Sequence, residues 1–162
     1  MINSVDKLVL AGKWTKIGLL VAIIAVLVPF WVLALFNHPS GDNFCYSEVF
    51  DEHGLIGGIK SWYRRWNGRY FSLFLMGSYF SPFEMIATYR YVPFALFSAW
   101  LLAAYYLLKT IVGASSRTLS VAGCAVGLCA LYTVTMPLVS NGFYHVTGAF
   151  QYQTGNILTL AA

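Results

Sequence analysis

From Ile17 to Phe36 the chain runs for twenty residues without a charge. At ~1.5 Å per residue this stretch reaches ~30 Å, the thickness of a hydrocarbon core. It is longer than the usual apolar region of a signal peptide and no small-x-small cleavage site follows it, so it predicts an uncleaved anchor. Pro29 lies inside it, where a membrane helix tolerates a kink. A second apolar run, Tyr91 to Leu108, is bounded by Arg90 and Lys109, and a third extends from Leu119 to Val139. Gly123 and Gly127, extended by Ser120 and Ala130, share a face of that third run. Small residues at this spacing let helix backbones approach closely, here within the chain's own bundle in preference to a dimer. A fourth apolar stretch begins at Ile157 and reaches only Ala162. The pattern predicts an all-α integral membrane fold: a polytopic helical bundle of three spans plus the start of a fourth, with residues 1–162 forming one transmembrane domain. The incomplete fourth stretch reads as the N-terminal piece of a longer membrane protein.

Two segments between the spans are more polar, 37–90 and 140–156. Within the first, Ile56, Ile59, Trp62, Tyr63, Trp66 and Tyr70 recur at helical spacing, interleaved with Lys60, Arg64, Arg65 and Arg69. This predicts an interfacial helix, with aromatics at headgroup depth and cations reaching toward phosphates. Tyr70 to Phe83 is apolar but short, and it contains Gly77 and Pro82. Its length suits a re-entrant or interfacial helix better than a crossing.

Composition removes several classes. The chain is 59% hydrophobic and 10% charged, against roughly 45–50% and about 25% in soluble domains, which excludes an ordinary cytosolic domain or a disordered tail. The net charge of +4 comes from scattered basic residues, so it carries no nucleic-acid footprint. Lys7, Lys13 and Lys16 precede the first span, and Lys109 and Arg117 lie between the second and third. Lys60, Arg64, Arg65, Arg69 and Arg90 match that count on the other side, but only Arg90 lies close to a span end, where the positive-inside rule acts. The N-terminus is therefore expected inside, with 37–90 and 140–156 outside. Cys124 and Cys129 sit in an apolar run and read as small packing residues, while Cys45 lies in a polar segment, so no disulfide is expected.

No span carries a charge, which argues against a pump or a proton-coupled transporter. The chemistry must then lie in the outer segments. Asp42 falls about six residues beyond the first span, where partial desolvation would raise its pKa and suit it to general-base work. The competing reading is a solvated Asp at the start of the next helix. Glu48, Asp51, Glu52 and His53 offer ligands to a divalent cation, but their spacing matches no metal motif and favours a solvated acidic turn before Gly54. Arg64, Arg65 and Arg69 offer planar forks to phosphate oxygens.

Three segments together resemble a known group. Gly41-Asp42-Asn43-Phe44-Cys45-Tyr46 and Trp62-Tyr63-Arg64-Arg65-Trp66-Asn67-Gly68-Arg69-Tyr70 are similar to the Asp-Asp-Tyr-Cys-Tyr and Trp-x-Gly-Arg-Tyr segments of bacterial membrane glycosyltransferase-like proteins of the GT-C superfamily. Phe143-Tyr144-His145-Val146-Thr147-Gly148-Ala149-Phe150-Gln151-Tyr152 resembles that group's aromatic-Thr-Gly-Ala segment. The resemblance implies a transferase in the bacterial cytoplasmic membrane. It would move a sugar from a polyprenyl-phosphate carrier to a cell-envelope glycan or lipid acceptor. Asp42 would be the base, with Arg64, Arg65 and Arg69 on the carrier phosphate. Trp62, Trp66, Tyr70, Tyr144 and Tyr152 would serve as sugar or interface aromatics. The resemblance fixes no cofactor and is compatible with a divalent cation. The chain departs from the pattern at Gly41, where the group has the leading Asp, and at His145, where an aromatic ring is usual. Two other classes fit the same composition: a non-enzymatic small membrane subunit or assembly factor, and a transporter or flippase fragment.

Overall fold

A computed structural model describes residues 4–65, 68–80, 85–113 and 118–162, with side chains from Trp14 onward. Expectations placed on Trp66, the Pro82–Phe83 end of the short apolar run, Arg117, and the side chains of Lys7 and Lys13 lie outside the described residues. The regular elements are all helical: α1 (Ser4–Leu35), α2 (Asp42–Arg65), α3 (Tyr70–Phe80), α4 (Met85–Thr88), α5 (Tyr91–Val112), α6 (Thr118–Thr135), α7 (Val146–Gly148) and α8 (Thr154–Ala161). Wider π-helical turns occupy Ser140–Tyr144 and Ala149–Gln153.

Three of these are long and apolar enough to cross a membrane: Trp14–Leu35, Tyr91–Val112 and Thr118–Thr135. Their ends differ from the hydrophobic pattern for local reasons. The second runs four residues past Leu108, through Lys109, and stops at Gly113, whose φ of 92° is open to glycine and whose N–H bonds the Lys109 carbonyl at 3.1 Å. The third stops at Thr135, not Val139, because Pro137 disfavours helical geometry at the residue before it. Its predicted small-residue face turns toward α1: a side-chain carbon on Gly127 would lie 3.8 Å from Ile23 Cδ1.

The segment 37–90, expected as a long loop with one interfacial helix, is mostly helix. Nor is α2 a single rod, since Gly54 has φ 65° and ψ 179°. Tyr46 and Trp62 would lie ~24 Å apart on a continuous helix, yet their rings stack with centroids 4.2 Å apart. Phe50 lies over Gly58. Both pairs centre on residue 54, so arms 42–53 and 55–65 fold back as an antiparallel hairpin. Trp62 consequently turns inward, while Ile56 and Tyr63 face out. Tyr70, expected on the same helix, starts α3 instead. With eleven residues α3 extends only ~16 Å, about half a crossing. It packs against the hairpin, where a side-chain carbon on Gly77 would come within 2.6 Å of both Phe50 and Leu55.

The second expected loop, 140–156, is corrected more sharply. Phe143, Val146, Ala149 and Gln153 are fully buried. The backbone stays helical through Gly148 and Gln153, so 146–161 is one helical rod with a π turn inside it. That rod packs along α5, and Phe143 stacks on Phe97 at 4.0 Å. Small residues permit this burial: the Asn141 carbonyl oxygen would lie 2.5 Å from any side-chain carbon at Gly148. Much of the core therefore gathers between the hairpin, α3, the first half of α5 and residues 143–149, around Phe50, Leu73, Met76, Tyr89 and Phe97. By contrast α1 lies at the edge, with Leu19, Val21, Val28 and Leu33 among its exposed side chains.

Candidate functional site

One end of the fold collects the end of α1, the starts of α2 and α5, and the segment 142–147, in which Gly142, Phe143, Val146 and Thr147 are buried. Its centre is Asn43, which has no exposed surface. Its amide nitrogen donates to the Ser40 carbonyl at 2.7 Å and to the Tyr89 hydroxyl at 2.9 Å. Thr147 donates its hydroxyl to Asn43 Oδ1 at 3.1 Å, and the Val146 N–H donates to Tyr89 Oη at 3.1 Å. Burial of Tyr89 pushes its pKa up to about 12, offset in part by the Val146 and Asn43 hydrogen bonds. A buried amide satisfied on both sides fixes the start of α2 against residues a hundred positions away.

Asp42, one residue earlier, behaves differently. Its side chain is exposed in the first turn of α2, which agrees with the solvated reading and not with a desolvated base. A carboxylate there is favoured by the helix N-terminus. Gly41 before it has φ 52° and open space around it, so the departure from the acidic pair coincides with left-handed backbone that suits glycine.

The hairpin register returns Arg64 and Arg65 to the end of α2 where Asp42 sits; all three side chains are exposed. Arg69 lies just before α3, its carbonyl accepting from Ser72 Oγ and Leu73 N, both at 3.0 Å. Its guanidinium donates to Gln151 Oε1 at 2.9 Å and reaches Tyr152 Oη at 3.4 Å, with its carbon 5.4 Å from the Tyr152 ring centre. A shallow groove of ≈ 270 Å³ follows, shared by Arg69, Tyr70, Phe150 and Gln151. Thus Arg69 and Tyr152, taken from two separate motifs, do meet.

Other candidates are used for packing. Tyr46 covers one face of Trp62, whose indole N–H is buried without an acceptor among the described residues. Tyr144 donates its hydroxyl to the Phe30 carbonyl at 2.6 Å, and Asn37 donates to the Tyr144 carbonyl at 2.8 Å. Tyr144 is therefore a strap on the end of α1, and burial raises its pKa to about 12. His145 Nδ1 lies 3.3 Å from Thr147 Oγ1. Glu48, Asp51 and Glu52 edge an open groove of ≈ 610 Å³ with Phe44 and Met85. Asp51 accepts from Ser47 at 3.4 Å and His53 lies 4.0 Å from Glu52. Among the described residues no three His, Cys, Asp or Glu groups converge to hold a metal. The cysteines are free: Cys129 is buried, whereas Cys124, expected as a packing residue, is exposed like Cys45.

Sequence reasoning passed over Asn43, Tyr89, Gln151 and Gln153. Gln153 is fully buried in the second π turn; its Oε1 accepts from Tyr132 at 2.9 Å and Asn156 at 3.4 Å. Asn43 lay inside a quoted motif, but the adjacent carboxylate drew attention, and Tyr89 belonged to no motif. Comparison with family models, curated proteins and solved structures returns no match.

Proposed function

We propose that this chain is an integral membrane protein of the bacterial cytoplasmic membrane, crossing it with Trp14–Leu35, Tyr91–Val112 and Thr118–Thr135 and keeping its N-terminus in the cytoplasm. At the opposite end it presents a glycosyltransferase-like site for a polyprenyl-phosphate-linked sugar. One observation carries the reading. The hairpin about Gly54 returns Arg64 and Arg65 to the end of α2 that bears Asp42, while Arg69 is tied to Tyr152. Three motifs distant in sequence thereby contribute to one end of the fold.

In this reading the acceptor hydroxyl gives its proton to the Asp42 carboxylate as its oxygen bonds to the sugar's anomeric carbon. The bond from that carbon to the carrier phosphate oxygen breaks, and the phosphate departs with the electron pair. Arg69, flanked by Arg64 and Arg65, stabilises the charge that develops on it. The Tyr152 and Tyr70 rings offer surfaces to the sugar. Removing a general base costs ~10²-fold or more. The test is transfer of labelled sugar from a polyprenyl-phosphate donor by protein in detergent. Asp42→Asn is expected to lower turnover at least that far, and unchanged turnover ends the assignment.

A non-enzymatic membrane subunit is the second reading. It is favoured by Gly41 in place of an acid and by the packing role of residues 143–149. Absence of both donor binding and turnover in a well-folded wild-type chain would select it.

A further inference from the structure

At the other end of the fold, the first halves of α1 and α6 splay apart. They approach at Ile23 and Gly127. One turn earlier the contact is lost, since a side-chain carbon on Gly123 would meet nothing within 4 Å. The result is a crevice of ≈ 510 Å³ walled by Ile17, Leu20 and Ile23 on one side and by Ser120, Gly123 and Cys124 on the other, with Lys16 among its lining residues. Lys16 is exposed in the first turn of the apolar part of α1.

A crevice between two spanning helices is filled by the apolar solvent around it, which is lipid chain. A cation where the apolar stretch begins sits at headgroup depth and attracts anionic lipid. We propose that this crevice is a binding site for one anionic phospholipid. An acyl chain lies along Gly123 and Cys124, and the headgroup phosphate pairs with Lys16. The inference rests on α1 and α6 crossing the membrane and is independent of the transferase reading, whose residues are at the opposite end. A second copy of the chain fits less well. The surface is concave, Gly127 is already faced by Ile23, and a two-fold contact would set Lys16 against its own copy.

The test is native mass spectrometry of the full chain, delipidated in mild detergent and titrated with phosphatidylglycerol or phosphatidylcholine. Wild-type protein is expected to retain one phosphatidylglycerol with about fivefold preference, the effect of one basic residue near an anionic lipid. Lys16→Gln should abolish the preference, and Gly123→Leu should abolish retention of both lipids. A thermal melt of each variant reports folding, and exposed Lys16→Gln decides the matter even if Gly123→Leu fails to fold. Equal retention of both lipids by the wild type overturns the proposal. So does a dimer peak with cross-linking through Cys124, which assigns the crevice to a second copy.

Discussion

Asn43 and Tyr89 show how much one neighbouring position changes a residue's part. Asp42 is exposed, and Asn43, turned inward, holds that helix start in place. Asn43→Ala would leave the Tyr89 hydroxyl, the Thr147 hydroxyl and the Ser40 carbonyl each short of a partner. A loss of about 1–3 kcal/mol is expected, read as a lower Tm in detergent. The tyrosines add a pH dependence. Tyr89 has its pKa pushed up from about 10 to about 12, so above pH 10 the unfolded chain holds fewer protons than the folded one. By linkage its stabilising effect is complete below pH 10 and disappears as pH rises toward 12. Melts across pH 8–12 are expected to stay level to about 10 and then fall, with a shallower fall in Tyr89→Phe.

Among the elements, the helical hairpin and the π-turned rod depend on glycines for opposite reasons. Gly54 is needed for its backbone angle, and Gly148 for the absence of a side chain. The Asn141 carbonyl occupies the space beside Gly148, and a carbonyl within a packed turn cannot swing aside as a side chain can. Gly148→Ala is therefore expected to cost about 1–3 kcal/mol, as overpacking does, and to loosen the Thr147–Asn43 contact. Hydrogen exchange at residues 143–149 would reveal it as faster exchange there, with α6 unaffected. The Thr-Gly-Ala segment thus has a packing explanation at each position: Thr147 bonds Asn43, Gly148 admits the carbonyl, and Ala149 is fully buried.

For the whole molecule, the question is how the chain lies in a bilayer. The end of α1 and residue Tyr144 are joined at one end, while Lys16 and the start of α6 share the other. Only five residues separate α5 from α6, a reach of at most ~18 Å, which keeps Lys109 near the Lys16 end. In the proposed orientation, which follows the positive-inside rule, that end faces the cytoplasm. In intact cells, a membrane-impermeant thiol reagent should label Glu52→Cys and leave Lys109→Cys unlabelled until the membrane is opened, in a background without Cys45 and Cys124. The reverse pattern would overturn the proposed orientation. Exposed Leu19, Val21, Val28 and Leu33 along α1 form an apolar surface that suits hydrocarbon.

The sequence by itself determined the three long apolar helices and the approximate places where they begin. A helix satisfies its backbone within its own segment, so twenty apolar residues suffice to define one. Hydropathy alone misplaces their ends, at Leu108 and Val139, because it takes no account of the local chemistry of Gly113 and Pro137. Only the tertiary structure decided that α2 doubles back. Gly54, Gly57 and Gly58 stand close together in the chain, and the turn falls at Gly54 because Tyr46 meets Trp62 and Phe50 meets Gly58 across it. Trp62 had a surface reading because its periodicity records a helix face and not what that face meets. The burial of residues 143–153 was likewise hidden, since polar Thr147 and Gln153 become core residues only when Asn43 and Tyr132 supply their hydrogen bonds. Those partners come from other elements, and hydrophobic periodicity along one segment carries no information about them.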